Sequence, residues 1–133
     1  MEFILRTLRD NPGEVEIVCL APATNLAECI AEDAETMHLV KRVWTMGTSG
    51  LGIGNATPVA EFNVYKDAEA YAIFLDEELP ATVIGLDMDT EETFLTEAVF
   101  EEMKTAGTAN QFIEKAFRKL AEYNKERFRI RIW

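Results

Sequence analysis

Between Gly54 and Asn63 the chain reads Gly-Asn-Ala-Thr-Pro-Val-Ala-Glu-Phe-Asn, with the two carboxamides Asn55 and Asn63 and the carboxylate Glu61 set among small and apolar residues. Carboxamides and carboxylates placed together can donate to and accept from the hydroxyl groups of a sugar. If the segment is extended, Glu61 and Asn63 point the same way, because strand side chains repeat every two residues. Ordinary loop chemistry is the plain alternative for the same residues.

A second acidic run, Asp87-Met88-Asp89-Thr90-Glu91-Glu92, puts four carboxylates in six positions, a donor set suited to a hard cation. It is not an EF-hand loop, since Glu92 stands at the sixth position where glycine is required. Helix capping by Asp89 or Thr90 accounts for most of the same residues, leaving Asp87 as the carboxylate expected to face a pocket. The stretch Gly47 to Pro58 holds four of the seven glycines. Its Gly50-x-Gly52-x-Gly54 pattern lacks the spacing and the Lys-Ser or Lys-Thr pair of a phosphate cradle, and reads instead as a loop over a site. His38, the only histidine, sits among helix-flanking residues and reads as structural. Cys19 and Cys29 match neither a redox pair nor zinc spacing and read as reduced cytosolic core residues.

The elements that must position these residues alternate in type. Met1 to Asn11 reads as a helix stopped by Asn11-Pro12-Gly13, and Val15 to Leu20 as a strand. Thr24 or Asn25 is placed to cap the next helix, which buries Leu26, Cys29 and Ile30, and Asp33 to Lys41 reads as a further short helical piece. Arg42 to Met46 is a strand. Asp67 caps a helix with Ala70, Ile73, Phe74 and Leu75 inward, and Ala81 to Leu86 reads as a strand covered on both faces. Helices follow over 93–105 and 109–124, the second with Phe112, Phe117, Leu120 and Tyr123 facing a core. The order predicts an α/β protein with an open, Rossmann-like sheet joined by parallel crossovers. Ligands in such sheets bind at the carboxyl ends of the strands, which marks the loops 20–25, 46–63 and 87–92.

The chain has 133 residues, 48% hydrophobic and 28% charged, in the range of a single domain, and no apolar run long enough to span a membrane. Net charge is -11, which argues against nucleic acid as a partner. The charge is uneven: residues 115–133 carry seven bases against two acids, leaving -16 on the rest.

Several segments together resemble the inosine–uridine-preferring nucleoside hydrolase family. They are Ala21-Pro22-Ala23-Thr24-Asn25-Leu26-Ala27, Val43-Trp44-Thr45-Met46-Gly47, Glu61-Phe62-Asn63-Val64-Tyr65-x-Asp67-x-Glu69-Ala70 and Val83-Ile84-Gly85-Leu86-Asp87. The resemblance covers residues 1–127 and leaves 128–133 as a basic and apolar tail. It implies an open α/β fold and hydrolysis of the N-glycosidic bond of ribonucleosides, with a calcium ion that orders the ribose and activates water. It also implies that Asn55 and Glu61 bind the ribose 5′-hydroxyl, that Asn63 binds other sugar hydroxyls, and that Met46 lies against the sugar. By the same resemblance, the Leu20 main-chain carbonyl falls where the family gives calcium a main-chain oxygen.

The family's Asp-x-Asp-x-x-x-Asp-Asp cluster and its C-terminal His-Asp pair have no match here, so the expected catalytic residues are none. Three readings follow. The chain is the central piece of a nucleoside hydrolase, inactive alone; or a non-catalytic ribose-binding or assembly module; or an enzyme with Asp87 and Asp89 as substitute metal ligands. The first two imply a ribonucleoside or ribose-like ligand, a cytoplasmic setting in purine or pyrimidine salvage, and self-association or a completing chain. The Arg129–Trp133 tail, which alternates like a strand, is a candidate contact.

Overall fold

The computed structural model describes residues 1–88 and 96–128, with side chains omitted at 121 and 123–128. It divides into two compact units, residues 1–88 and 89–133.

In the first unit, helix α1 (Glu2–Asp10) leads to strand β1 (Glu16–Cys19), helix α2 (Thr24–Met37), strand β2 (Arg42–Met46), helices α3 (Phe62–Lys66) and α4 (Ala68–Asp76), and strand β3 (Ala81–Ile84). The strands form one parallel sheet in the order β1-β2-β3, with Cys19 beside Thr45 and Met46 beside Ile84. This is the open sheet with parallel crossovers that the element order predicts. It brings all three strand carboxyl ends to one edge.

Helix α2 runs through what the sequence suggests are two helices. Asp33 takes non-helical angles (φ -158°, ψ 81°) inside it. Its carboxylate accepts from the Thr36 N–H at 3.0 Å and so starts the second piece as an N-cap starts a helix. Arg9 of α1 donates to the same carboxylate at 2.7 Å. The Arg9 guanidinium, with help from Thr36, lowers the Asp33 carboxyl to about 2. Thr24 and Asn25 do not cap α2, because the Thr24 hydroxyl donates instead to Asp67. Asp67 caps α4 as expected, accepting from the Ala70 N–H at 3.1 Å.

One face of the sheet, carrying Ile17, Cys19, Val43 and Thr45, packs into a core with Leu5 and Leu8 of α1, Leu26, Cys29 and Ile30 of α2, and Ala70, Tyr71 and Phe74 of α4. Helix α4 presents Tyr71 inward, whereas Ile73 and Leu75 are exposed, contrary to the face read from the sequence. The other sheet face mixes polar and apolar side chains: Trp44 donates its indole N–H to Glu16 at 2.8 Å, Arg42 lies over the Trp44 ring, and Val18 and Ile84 on the same face are exposed. The two-sided cover expected for β3 is also absent, since Val83 and Ile84 remain over a third exposed. An apolar run alone does not tell a buried strand from an edge strand, and β3 ends the strand order. Both cysteines are free thiols, Cys29 buried and Cys19 half-buried.

In the second unit, α5 (Glu97–Thr105) and α6 (Thr108–Phe128) pack against each other. Residues 93–95 of the expected helix lie outside the described residues; α5 starts at a Thr96 cap on the Val99 N–H. Phe100 is buried under the Arg118 guanidinium, which also pairs with Glu97 at 2.8 Å and with Glu114. Phe112, Phe117 and Leu120 are exposed rather than core-facing, and the Tyr123 side chain lies outside the described residues. These three residues lie on the arc of α6 away from Glu114 and Arg118, whose ion pairs reach α5.

Candidate functional site at the strand carboxyl ends

Residues 61–66 are not extended. Glu61 is the N-cap of α3, and its carboxylate accepts the Val64 N–H at 3.0 Å. Helix formation follows from that cap, and it separates Glu61 and Asn63 from the simple same-side geometry of a strand. Both are nonetheless buried, at 2% and 8% exposure. The Asn63 amide nitrogen lies 3.2 Å from both the carbonyl oxygen and the Sδ of Met46, donating to the end of β2. Asn55 reaches the same turn from the other side, its Oδ1 accepting the Phe62 N–H at 2.8 Å. The first turn of α3 therefore gathers Met46, Asn55, Glu61 and Asn63 at the carboxyl end of the sheet.

The loop before this turn is folded tightly. The Gly54 N–H donates to the Pro58 carbonyl at 3.1 Å, and the Ala56 N–H to that of Ala60 at 3.0 Å. A side chain at Gly54 would place its Cβ 2.3 Å from the carbonyl oxygens of Thr57 and Ala60, so only glycine fits. Upstream, Thr48 is held at φ 72°, a left-handed conformation rarely taken by a β-branched residue. Its carbonyl accepts the Leu86 N–H at 3.1 Å and its hydroxyl the Gly50 N–H at 2.7 Å, which ties the glycine loop to the end of β3.

Asp87 joins the same loop. Its carboxylate accepts the Leu51 N–H at 3.3 Å and lies where side chains on Gly50 or Gly85 would otherwise stand. Asp89 and the rest of the acidic run lie outside the described residues. Leu20 follows β1 at the same edge of the sheet and is exposed. Calcium takes six to eight oxygen ligands. The Leu20 carbonyl and Asp87 fall well short of that set, and among the described residues no cluster of three His, Cys, Asp or Glu side chains is placed to hold a metal. The residues described do not by themselves fit the ion.

Tyr71 is a residue that the sequence reading misses. Its ring lies directly beneath Gly47, where an added Cβ would come within 2.6 Å of its hydroxyl. Burial pushes the Tyr71 phenol up from its ordinary value, and the charge of Glu61 adds to the rise. Thr45 offsets part of it. Yet neither the Thr45 nor the Tyr71 hydroxyl has a hydrogen bond of normal geometry within the described residues. No motif marks Tyr71; only the rotation that the Asp67 cap gives α4 brings it inward.

His38 lies away from this edge. Its Nε2 is 2.8 Å from Glu77, at the C-terminal end of α2 just before β2 begins.

The whole chain, residues 1–133, matches the family model for inosine-uridine preferring nucleoside hydrolases, and the chain belongs to that family. It is 32% identical over 112 residues to a probable uridine nucleosidase 2 of Oryza sativa subsp. japonica, covering 84% of this chain and 33% of that protein. It is 31% identical over 126 residues to the pyrimidine-specific ribonucleoside hydrolase RihA of Citrobacter koseri, covering 95% and 40%. Among solved structures, a plant nucleoside hydrolase, the PpNRh1 enzyme, superposes with a TM-score of 0.85 at 27% identity over 96% of this chain and 40% of that one. The fold is thus a partial nucleoside hydrolase fold, and the chain spans between a third and two fifths of the length of these relatives. No helix among the described residues is long and apolar enough to cross a membrane.

Proposed function

We propose that residues 1–127 form a ribose-facing part of the nucleoside hydrolase fold, which holds the sugar of a ribonucleoside and does not hydrolyse it alone. The observation that carries this is the bond from the Asn63 amide to Met46, which fixes the first turn of α3 against the end of β2. Around that bond Asn55 and Glu61 supply further hydroxyl partners, and Met46 an apolar surface for the sugar ring. Holding a sugar rigidly is the part of glycosidic bond cleavage that such a turn can supply.

Turnover needs a base within reach of the attacking water. Glu61 is buried and committed to capping α3, Asp87 accepts from the glycine loop, and His38 is at the other end of α2. None is free for that role. The Leu20 carbonyl and Asp87, which follow strands separated by β2, are the two oxygens this chain would offer the family's calcium, too few to hold it. The relatives' substrates, uridine and other pyrimidine ribonucleosides by their names, make a ribonucleoside the proposed ligand. On this reading the chain serves nucleoside salvage in the cytoplasm, either as a homo-oligomer or with a completing chain.

Ribose release from inosine and uridine by the purified chain, with calcium and with a chelator, tests the proposal. The expected result is no release above the uncatalysed background in either condition. Chelator-sensitive release that is lost in Asp87→Ala would overturn it.

A further inference from the structure

Beneath Gly47 the apolar core holds two hydroxyl groups, one from β2 and one from α4. Thr45 is 0% exposed and Tyr71 is 4% exposed. Their oxygens are shielded from solvent, and neither makes a hydrogen bond of normal geometry among the described residues. A buried polar atom left in that state costs free energy that valine or phenylalanine would not, and native cores satisfy nearly all of them. The Thr45 hydroxyl is nonetheless near enough to the phenol to favour its ionised form. The two groups are partners out of alignment.

Their place in the fold decides what would align them. The Tyr71 ring stands edge-on to Phe74, with 5.9 Å between centroids, so it does not swing away from the sheet. An added Cβ on Gly47 would come within 2.8 Å of the ring atom Cε2, which puts the ring against the main chain there. Thr45 precedes Met46 and Gly47 follows it, so the phenol meets both neighbours of the residue whose carbonyl accepts from Asn63. A small displacement of this end of β2 moves Thr45 and Gly47 together over the phenol. Hydrogen bonds at binding sites are often long or poorly aligned in the free protein and tighten when the ligand arrives.

We propose that Thr45 and Tyr71 are positioning residues for the sugar: when a ribose seats on Met46, the Tyr71 O–H closes on Thr45 Oγ1 and fixes the end of β2 under the ligand. The proposal rests on the ribose-holding reading of Met46, Asn55, Glu61 and Asn63. Neither hydroxyl touches the sugar; both act through Met46. The charge of Glu61 keeps the proton on the phenol, so Tyr71 enters the bond as donor. Because the bond is absent from the free chain, it adds to affinity and not to the stability of that chain.

Tyr71→Phe, Thr45→Val and the two combined test this, by calorimetric titration with uridine and by urea unfolding without ligand. Each change removes a hydroxyl and keeps the ring or the branched shape. All three variants are expected to bind uridine about fivefold more weakly than the wild type, the effect of one buried hydrogen bond. One bond is lost in every case, so the single losses do not multiply in the double variant. The urea midpoints of the free variants are expected at or above that of the wild type. With carbon-13 at tyrosine Cζ, uridine is expected to shift the Tyr71 resonance in the wild type and to leave it unmoved in Thr45→Val. Wild-type affinity in Tyr71→Phe, losses that multiply in the double variant, a Tyr71 shift that survives in Thr45→Val, or a lowered midpoint in free Tyr71→Phe would each overturn the proposal and leave the ribose-holding reading standing. A wild type that binds no uridine would overturn that reading, and this proposal with it.

Discussion

The Asn63 side-chain amide lies 3.2 Å from both the main-chain oxygen and the sulfur of Met46, so the end of β2 and the first turn of α3 are joined by one buried residue. The sugar-binding reading depends on that joint. Replacing Asn63 with Leu keeps the branched shape and the count of heavy atoms but leaves the Met46 carbonyl without this donor. A buried hydrogen bond lost in this way costs about 1 kcal/mol of stability. Affinity for uridine is expected to fall at least tenfold in Asn63→Leu, measured by titration calorimetry, with the circular dichroism spectrum unchanged.

Thr48 holds a conformation that favours glycine. Such strain in a non-glycine residue costs about 1–3 kcal/mol. Thr48→Gly relieves it but gives up the hydroxyl that accepts the Gly50 N–H, and adds chain entropy to the unfolded state. The net expectation is a stabilisation of about 1 kcal/mol, read as a higher urea midpoint with an unchanged slope. A lower midpoint would mean that the hydroxyl matters more than the strain.

The Arg9–Asp33 pair makes stability depend on acid. Because the Asp33 carboxyl falls from 3.8 to about 2 on folding, its contribution is present above about pH 4 and is lost as the pH drops toward 2. Asp33→Asn is therefore expected to lower the melting temperature at pH 7 and to converge on the wild type near pH 2. A difference that stays constant across that window would place the effect in the α2 kink rather than in the charge.

Asp87 binds the glycine loop through the Leu51 N–H. In Asp87→Ala the Leu51 amide is expected to exchange with solvent about tenfold faster by hydrogen exchange, with core amides such as that of Val43 unaffected. Equal exchange in both proteins would show that the Thr48–Leu86 bond alone holds the loop.

The strand β2, the Asp67 cap, the parallel sheet and the grouping of Met46, Asn55, Glu61 and Asn63 were legible from local patterns and from the family's motifs. The geometry of that grouping was not. An apolar and amide alternation at 61–63 fits a strand, but the Glu61 carboxylate caps a helix there, and a cap outweighs a two-residue period. The inward face of α4 failed for a related reason: Ile73 and Tyr71 lie two residues apart on the helix, and only the rotation set at Asp67 decides which is buried. The exposure of β3 and of the α6 stripe depends on what packs against them, which local sequence does not encode. Thr24 stands where a cap belongs but does not act as one, because its hydroxyl donates to Asp67, 43 residues away in the sequence.

The most direct test of sugar binding at this edge is a nitrogen-15 NMR titration of the chain with ribose and with uridine. Ribose contact predicts saturable shifts of the Gly47, Phe62 and Asn63 amides with both ligands, and their loss in Asn63→Leu. Amide positions unchanged at that turn with both ligands, or shifts that survive in Asn63→Leu, would contradict it.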